Sequence, residues 1–186
     1  MGLPNAEVYP DVSFLATETK KGAASAKGTR GRPTLGVNLR NFHLENLESV
    51  AAAVLSMYRQ GWDIALICAE QFEDESLLTE FRRYMVRGLG GEAEGRVRLL
   101  PFASLQGTID EISHVDIMMA MRLHVGLVAA QMGIPTLFLC YDDKVRAVAE
   151  QLGMEDYALT LSQCDEALLL KKLRALRENH AQISSV

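Results

Sequence analysis

The stretch VDIMMAMRLHVGLVAAQMGIPTLFLCYDDK, Val115 to Lys144, decides the fold of this chain. Its first six residues form a short apolar run of the kind that makes a strand buried on both faces. RLHVGLVAAQMG, 122–133, then carries apolar and small residues at helical spacing, ending at Gly133, a residue suited to a helix C-terminus. PTLFLC, 135–140, reads as a second buried strand with Pro135 at its opening. A strand, a helix and a strand of these lengths make one right-handed unit with parallel strands. The apolar middle explains itself. Arg122 and His124 at the helix start, and Asp142, Asp143 and Lys144 after the second strand, need a separate reason.

The same rhythm continues on both sides. TLGVNL (34–39) reads as a strand, LENLESVAAAVLSMYRQ (44–60) as a helix stopped by Gly61, and WDIALICA (62–69) as a buried strand. ESLLTEFRRYMVRGL (75–89) is helical, GLGGEAEG (88–95) a turn or loop, RVRLLP a strand and SLQGTIDEISH a helix. DKVRAVAEQLG and CDEALLLKKLRALRENH complete the set as helices. Five strands alternating with helices predict an α/β domain, a Rossmann-like, doubly wound, mostly parallel sheet over residues 34–186. Residues 1–33 read as a leader and a flexible loop. Within it, 17–33 lacks large apolar side chains and carries five cations: Lys20, Lys21, Lys27, Arg30 and Arg32.

Composition narrows the function. The 186 residues are 48% apolar and 23% charged, an ordinary soluble balance, and the net charge of −5 disfavours a nucleic-acid partner. No apolar run approaches the roughly 20 residues of a membrane span, and MGLPNAEVYPDVSF lacks the features of a signal peptide. Cys68, Cys140 and Cys164, odd in number and widely spaced, read as reduced core cysteines. These features predict a cytoplasmic protein. There is no GxGxxG, Walker loop, GxSxG or HExxH, and the four histidines lack metal-ligand spacing. Neither a dinucleotide cofactor nor a metal is therefore expected.

In a doubly wound sheet, ligands bind beyond the carboxyl ends of the strands. Arg40, Arg122, His124 and Lys144 all fall just past predicted strands, so they are expected to face one cleft. Helix N-termini at that rim favour anions. No acidic partner lies close to Arg122 in sequence, although Asp116 or Asp143 could pair with it. One of Asp142 and Asp143 is expected to cap the following helix. Tyr141 could pack or donate a hydrogen bond at the rim.

The block Arg122-Leu123-His124, Gly133-Ile134-Pro135 and Tyr141-Asp142-Asp143-Lys144 resembles the polysaccharide pyruvyl transferase family in order and spacing. Weaker likeness extends to PDVSF at Asp11, GVNLR at Arg40 and the EDESL helix start at Asp74. The resemblance implies the C-terminal domain of a two-domain GT-B fold. It implies transfer of a pyruvyl group from phosphoenolpyruvate, the donor substrate, to two hydroxyls of a glycan or lipid-linked sugar acceptor. That activity belongs to exopolysaccharide or cell-wall biosynthesis. On this reading His124 is the general acid and Lys144 acts on the leaving phosphate, while Arg40, Arg122, Tyr141 and Asp142 bind substrate. An N-terminal half or partner domain would supply the acceptor side. Two other readings stay open: a GT-B glycosyltransferase or epimerase half binding a nucleotide-sugar, and a non-catalytic assembly module using Leu168, Leu169, Leu173 and Leu176 of the last helix.

Overall fold

The structure is a computed structural model and describes residues 31–40, 47–89 and 93–178. Asp11, His43, His180 and four of the five loop cations, Lys20, Lys21, Lys27 and Arg30, lie outside the described residues. Among the described residues six strands form one sheet: β1 (Thr34–Asn38), β2 (Asp63–Ile67), β3 (Val97–Leu100), β4 (Ile117–Ala120), β5 (Thr136–Cys140) and β6 (Ala158–Thr160). Their order is β3-β2-β1-β4-β5-β6, and every pairing is parallel. The expected mostly parallel sheet is thus wholly parallel, and β6 is a sixth strand beyond the five expected. Its three residues are too short for a periodicity signal, and they sit at the sheet edge.

The helices are α1 (Leu47–Arg59), α2 (Gln71–Leu89), α3 (Ala93–Arg96), α4 (Leu105–Ile112), α5 (Leu123–Gln131), α6 (Asp143–Gln151) and α7 (Glu166–Glu178). Side chains of β4 alternate between two apolar clusters, Ile117 and Met119 in one and Met118 and Ala120 in the other. Leu35 and Val37 of β1 join α1, α2 and α7 in the first, while the smaller cluster gathers Met118 and Ala120 with α4 and α5. The last helix packs on its own domain: Leu169, Leu173 and Leu176 are fully buried, and α7 lies against α1. The three cysteines are free and buried.

Two expectations about helix limits need correcting. The 88–95 stretch, expected to be a turn or loop, overlaps the end of α2 and runs into the one-turn helix α3, which extends to Arg96. More consequentially, α2 begins at Gln71, not near Asp74 or Glu75. Its first turn carries Glu73 and Asp74, acids that suit a helix N-terminus but supply no apolar period to read. Gly133, with φ +76°, follows the Met132 C-cap of α5, and Pro135 immediately precedes β5, as the sequence predicts.

The topology places the crossover reversal between β1 and β4, where Asn38 pairs with Ala120. Helix α5 comes close to the sheet beside that point because Gly126 has no side chain. A Cβ there would overlap the ring of buried Phe138 and come within 3.3 Å of Ala120 Cβ. The strain of such overpacking, about 1–3 kcal/mol, exceeds the ~1 kcal/mol that alanine gains in helix propensity. Gly126→Ala should therefore lower the urea midpoint, whereas Gly88→Ala, with open space around it, should not.

Burial pushes the thiols of Cys140 and Cys164 up to about 11 from an ordinary 9.0. The native state then holds these protons longer than the unfolded chain does. Their contribution to stability is intact below pH 9 and lost as pH rises toward 11. Between those values the wild-type urea midpoint should fall further than that of a Cys140→Ala, Cys164→Ala double variant.

Candidate functional site

The site begins with Asn38, a polar residue closing an apolar strand and fully buried there. Its Nδ2 donates to the carbonyl of Ile67 at 2.9 Å, and its Oδ1 accepts from the backbone N–H of Arg122 at 3.0 Å. One amide thus ties together the carboxyl ends of β2, β1 and β4. Sequence reading did not single it out; its signal was a lone amide inside the run TLGVNL.

Arg122 takes the N-cap position of α5 in extended conformation and offers no side-chain acceptor to cap the helix. Its guanidinium turns instead to α2. Nε lies 3.0 and 2.8 Å from the two carboxylate oxygens of Asp74, and Nη2 is 2.8 Å from Asp74 Oδ1. Nη2 also donates to Glu73 Oε2 at 3.0 Å, and Nη1 is 2.9 Å from Glu70 Oε2. Asp74 is fully buried and also accepts from the Ala69 N–H at 3.3 Å, whereas the Glu70 and Glu73 side chains are 48% and 44% exposed. As expected, the acid that holds Arg122 is not close in sequence. Its principal partner is Asp74, 48 residues away, rather than Asp116 or Asp143, and the early start of α2 brings it in.

Arg40 follows β1, its N–H donating to Met121 Sδ at 3.4 Å. Its Nε and Nη2 both lie 3.0 Å from Glu73 Oε2. Its Nη1 donates to the Tyr141 hydroxyl at 3.1 Å, with the guanidinium carbon 5.3 Å from the Tyr141 ring centroid. In this bond the Tyr141 hydroxyl accepts, where a donor was expected, and the ring also packs against the apolar core, the other expected role. Glu73 Oε2 receives both guanidinium groups. The hydrogen bond from Arg122, followed by the attraction of Arg40, holds the Glu73 carboxyl below its usual range. Burial works against the Arg122 charge, but its hydrogen bonds and attraction to the carboxylates outweigh that, and its pKa is raised.

Asp142 is the N-cap of α6, its carboxylate accepting from the Lys144 N–H at 2.9 Å. It is the capping member of the Asp142–Asp143 pair. His124 and Lys144 occupy matching places, each the second residue of a helix that follows one of two adjacent parallel strands. Both side chains are exposed, and α5 packs against α6. The rim therefore gathers Arg40, Arg122 and Tyr141 into one bonded group, with His124 and Lys144 at helix starts on the same edge.

The family model described as polysaccharide pyruvyl transferase matches residues 1–143, ending one residue before Lys144. No curated protein matches the sequence. Among solved structures the chain is similar to an O-GlcNAc transferase mutant from Thermobaculum terrenum, with TM-score 0.58 and 20% identity over 90% of this chain and 34% of that one. It is also similar to a structure described as UDP-N-acetylglucosamine 2-epimerase from Listeria monocytogenes, with TM-score 0.62 and 16% identity over 93% of this chain and 45% of that one. The calicheamicin glycosyltransferase CalG4 follows at TM-score 0.50 and 15% identity, over 90% of this chain and 40% of its own. The chain thus spans less than half the length of each. At these identities the likeness is one of fold, a Rossmann-like domain of the GT-B kind. Among the described residues no helix is long and apolar enough to cross a membrane.

The contrast between buried and exposed acids can be measured. Removing the partner of a buried ion costs about 3–5 kcal/mol, while an exposed pair contributes about 0–1 kcal/mol. Asp74→Ala should therefore lower unfolding free energy several-fold more than Glu70→Ala in parallel urea titrations.

Proposed function

The chain belongs to the polysaccharide pyruvyl transferase family, and from that premise we propose that it forms the donor-binding half of a pyruvyl transferase. The donor is phosphoenolpyruvate and the product a cyclic ketal on a sugar. The observation that carries this reading is the rim itself. At the crossover reversal Arg40 bonds Tyr141 and is linked to Arg122 through Glu73, and His124 and Lys144 stand at equivalent helix starts beside them.

Phosphoenolpyruvate has a carboxylate and a phosphate, and both suit guanidinium groups and helix N-termini. Protonation of its methylene carbon leaves the adjacent carbon electrophilic. A sugar hydroxyl adds there and gives up its proton, phosphate departs with the C–O bonding pair, and a second hydroxyl closes the ketal. Of the two hydroxyl protons one restores the acid and the other goes to the phosphate. His124 delivers the proton, the part an imidazole performs as a general acid. Lys144 places a point charge beside the departing phosphate. Arg40 and Tyr141 bind the anionic donor, and Arg122 binds it while anchored from behind by Asp74. Asp142 contributes by fixing the start of α6 and so the position of Lys144. The acceptor sugar enters from a second domain or partner.

A donor held at a hundred times its Kd stabilises the fold by about 2.7 kcal/mol, a readily measured rise in melting temperature. Phosphoenolpyruvate should produce it in this chain, and UDP or GDP should not. The reverse result would move the assignment to a nucleotide-sugar enzyme. In the complete enzyme, His124→Gln should leave donor affinity within about twofold. It should slow turnover by a factor on the order of 10²–10⁴. Lys144→Ala should lower both affinity and rate, and Arg40→Ala mainly affinity. Wild-type turnover by His124→Gln would remove His124 from the mechanism. Arg122→Ala is a poor probe, because it strands the buried Asp74.

A further inference from the structure

Glu73 holds an unusual place at the rim. A single carboxylate oxygen, Oε2, lies within 3.0 Å of Nε and Nη2 of Arg40 and of Nη2 of Arg122. Two guanidiniums converging on one half-exposed oxygen is the geometry with which proteins hold an oxygen of an external carboxylate or phosphate. We propose that Arg40 and Arg122 form an anion subsite whose internal occupant is Glu73, and that a ligand's anionic oxygen enters by displacing it. Asp74 is the positioning residue that keeps Arg122 in place during the exchange.

The three acids divide by burial in the way this exchange requires. Asp74 is fully buried and holds Arg122 through both carboxylate oxygens, so it stays. Glu73 and Glu70 reach the same guanidinium from the solvent side, where an ion pair is weak and a side chain is free to turn into water. Displacing Glu73 also frees the Arg40 Nε and Nη2 donors, while the bond from Arg40 Nη1 to Tyr141 holds that guanidinium in place. Carboxylates outnumber guanidiniums three to two in the resting cluster, which therefore repels anions until Glu73 leaves. Glu73 thus sets the affinity of the subsite. The exchange depends on the proposed function only for the identity of the ligand.

Calorimetric titration of the 186-residue chain tests this, with phosphoenolpyruvate, inorganic phosphate and UDP as probes. Glu73→Gln and Glu73→Ala are compared with wild type and with Glu80→Gln, which makes the same change in net charge on the exposed part of α2. If Glu73 fills the subsite about nine-tenths of the time, both Glu73 variants should bind phosphoenolpyruvate roughly tenfold tighter. Glu80→Gln should stay within about twofold, and adding Arg40→Ala to Glu73→Ala should abolish the gain. Tightening toward UDP in place of phosphoenolpyruvate would keep the subsite and overturn the donor assignment. Equal tightening by Glu80→Gln, weaker binding by the Glu73 variants, or no binding of any probe by them would overturn the subsite itself.

Discussion

Asp74 is a carboxylate with no access to water, and a buried charge persists only when it is paired and hydrogen-bonded. Arg122 supplies that pairing, with its Nε spanning both oxygens and a backbone N–H completing the shell. The constraint reaches well beyond two side chains. It fixes the start of α2 against the end of β4, while the Asn38 amide fixes the Arg122 backbone against β1 and β2. Glu73, Arg40 and Tyr141 are then arranged around a guanidinium that has little freedom to move. The geometry of the rim follows from an electrostatic requirement of the interior.

The two rim arginines are consequently different instruments. The Arg122 side chain is 17% exposed and faces three carboxylates, the most buried of which holds it by two oxygens. Arg40 is 29% exposed and is shared between one half-exposed acid and a tyrosine ring. The adjacent helix starts differ as well. Helix α6 begins on an aspartate that caps it, whereas α5 begins on an arginine that cannot. Positive end and positive side chain coincide at α5, and the cost of that arrangement is offset by the acids of α2.

Much of this architecture was legible in the sequence because it rests on local regularities. The strands from TLGVNL to PTLFLC announce themselves as short apolar runs, and Gly133 marks a helix end because only glycine takes its backbone conformation easily. The positions of His124 and Lys144 follow from those boundaries. Strand β6 escaped notice because three residues at a sheet edge carry no period. The first turn of α2 escaped because QFED shows none of the apolar spacing by which helices are recognised. That second omission hid the partner of Arg122, since ion pairs between distant segments leave no local trace. The rim was therefore readable as a list of cations but not as an ion-pair cluster in which three carboxylates face two guanidiniums.

The pairing of β1 with β4 has a kinetic consequence. Thr34 and Asp116 hydrogen-bond across 82 residues, and the Asn38–Arg122 link spans 84. Closing so long a loop is entropically costly, and parallel pairings of high sequence separation form slowly. The halves β1–β3 and β4–β6 each possess neighbouring strands and helices able to associate earlier. The anion-binding rim lies on the seam between those halves. The Arg40–Glu73 and Asn38–Ile67 contacts belong to the first half alone. The bonds of the Arg122 side chain to Glu70, Glu73 and Asp74, and the Arg40–Tyr141 bond, instead join one half to the other.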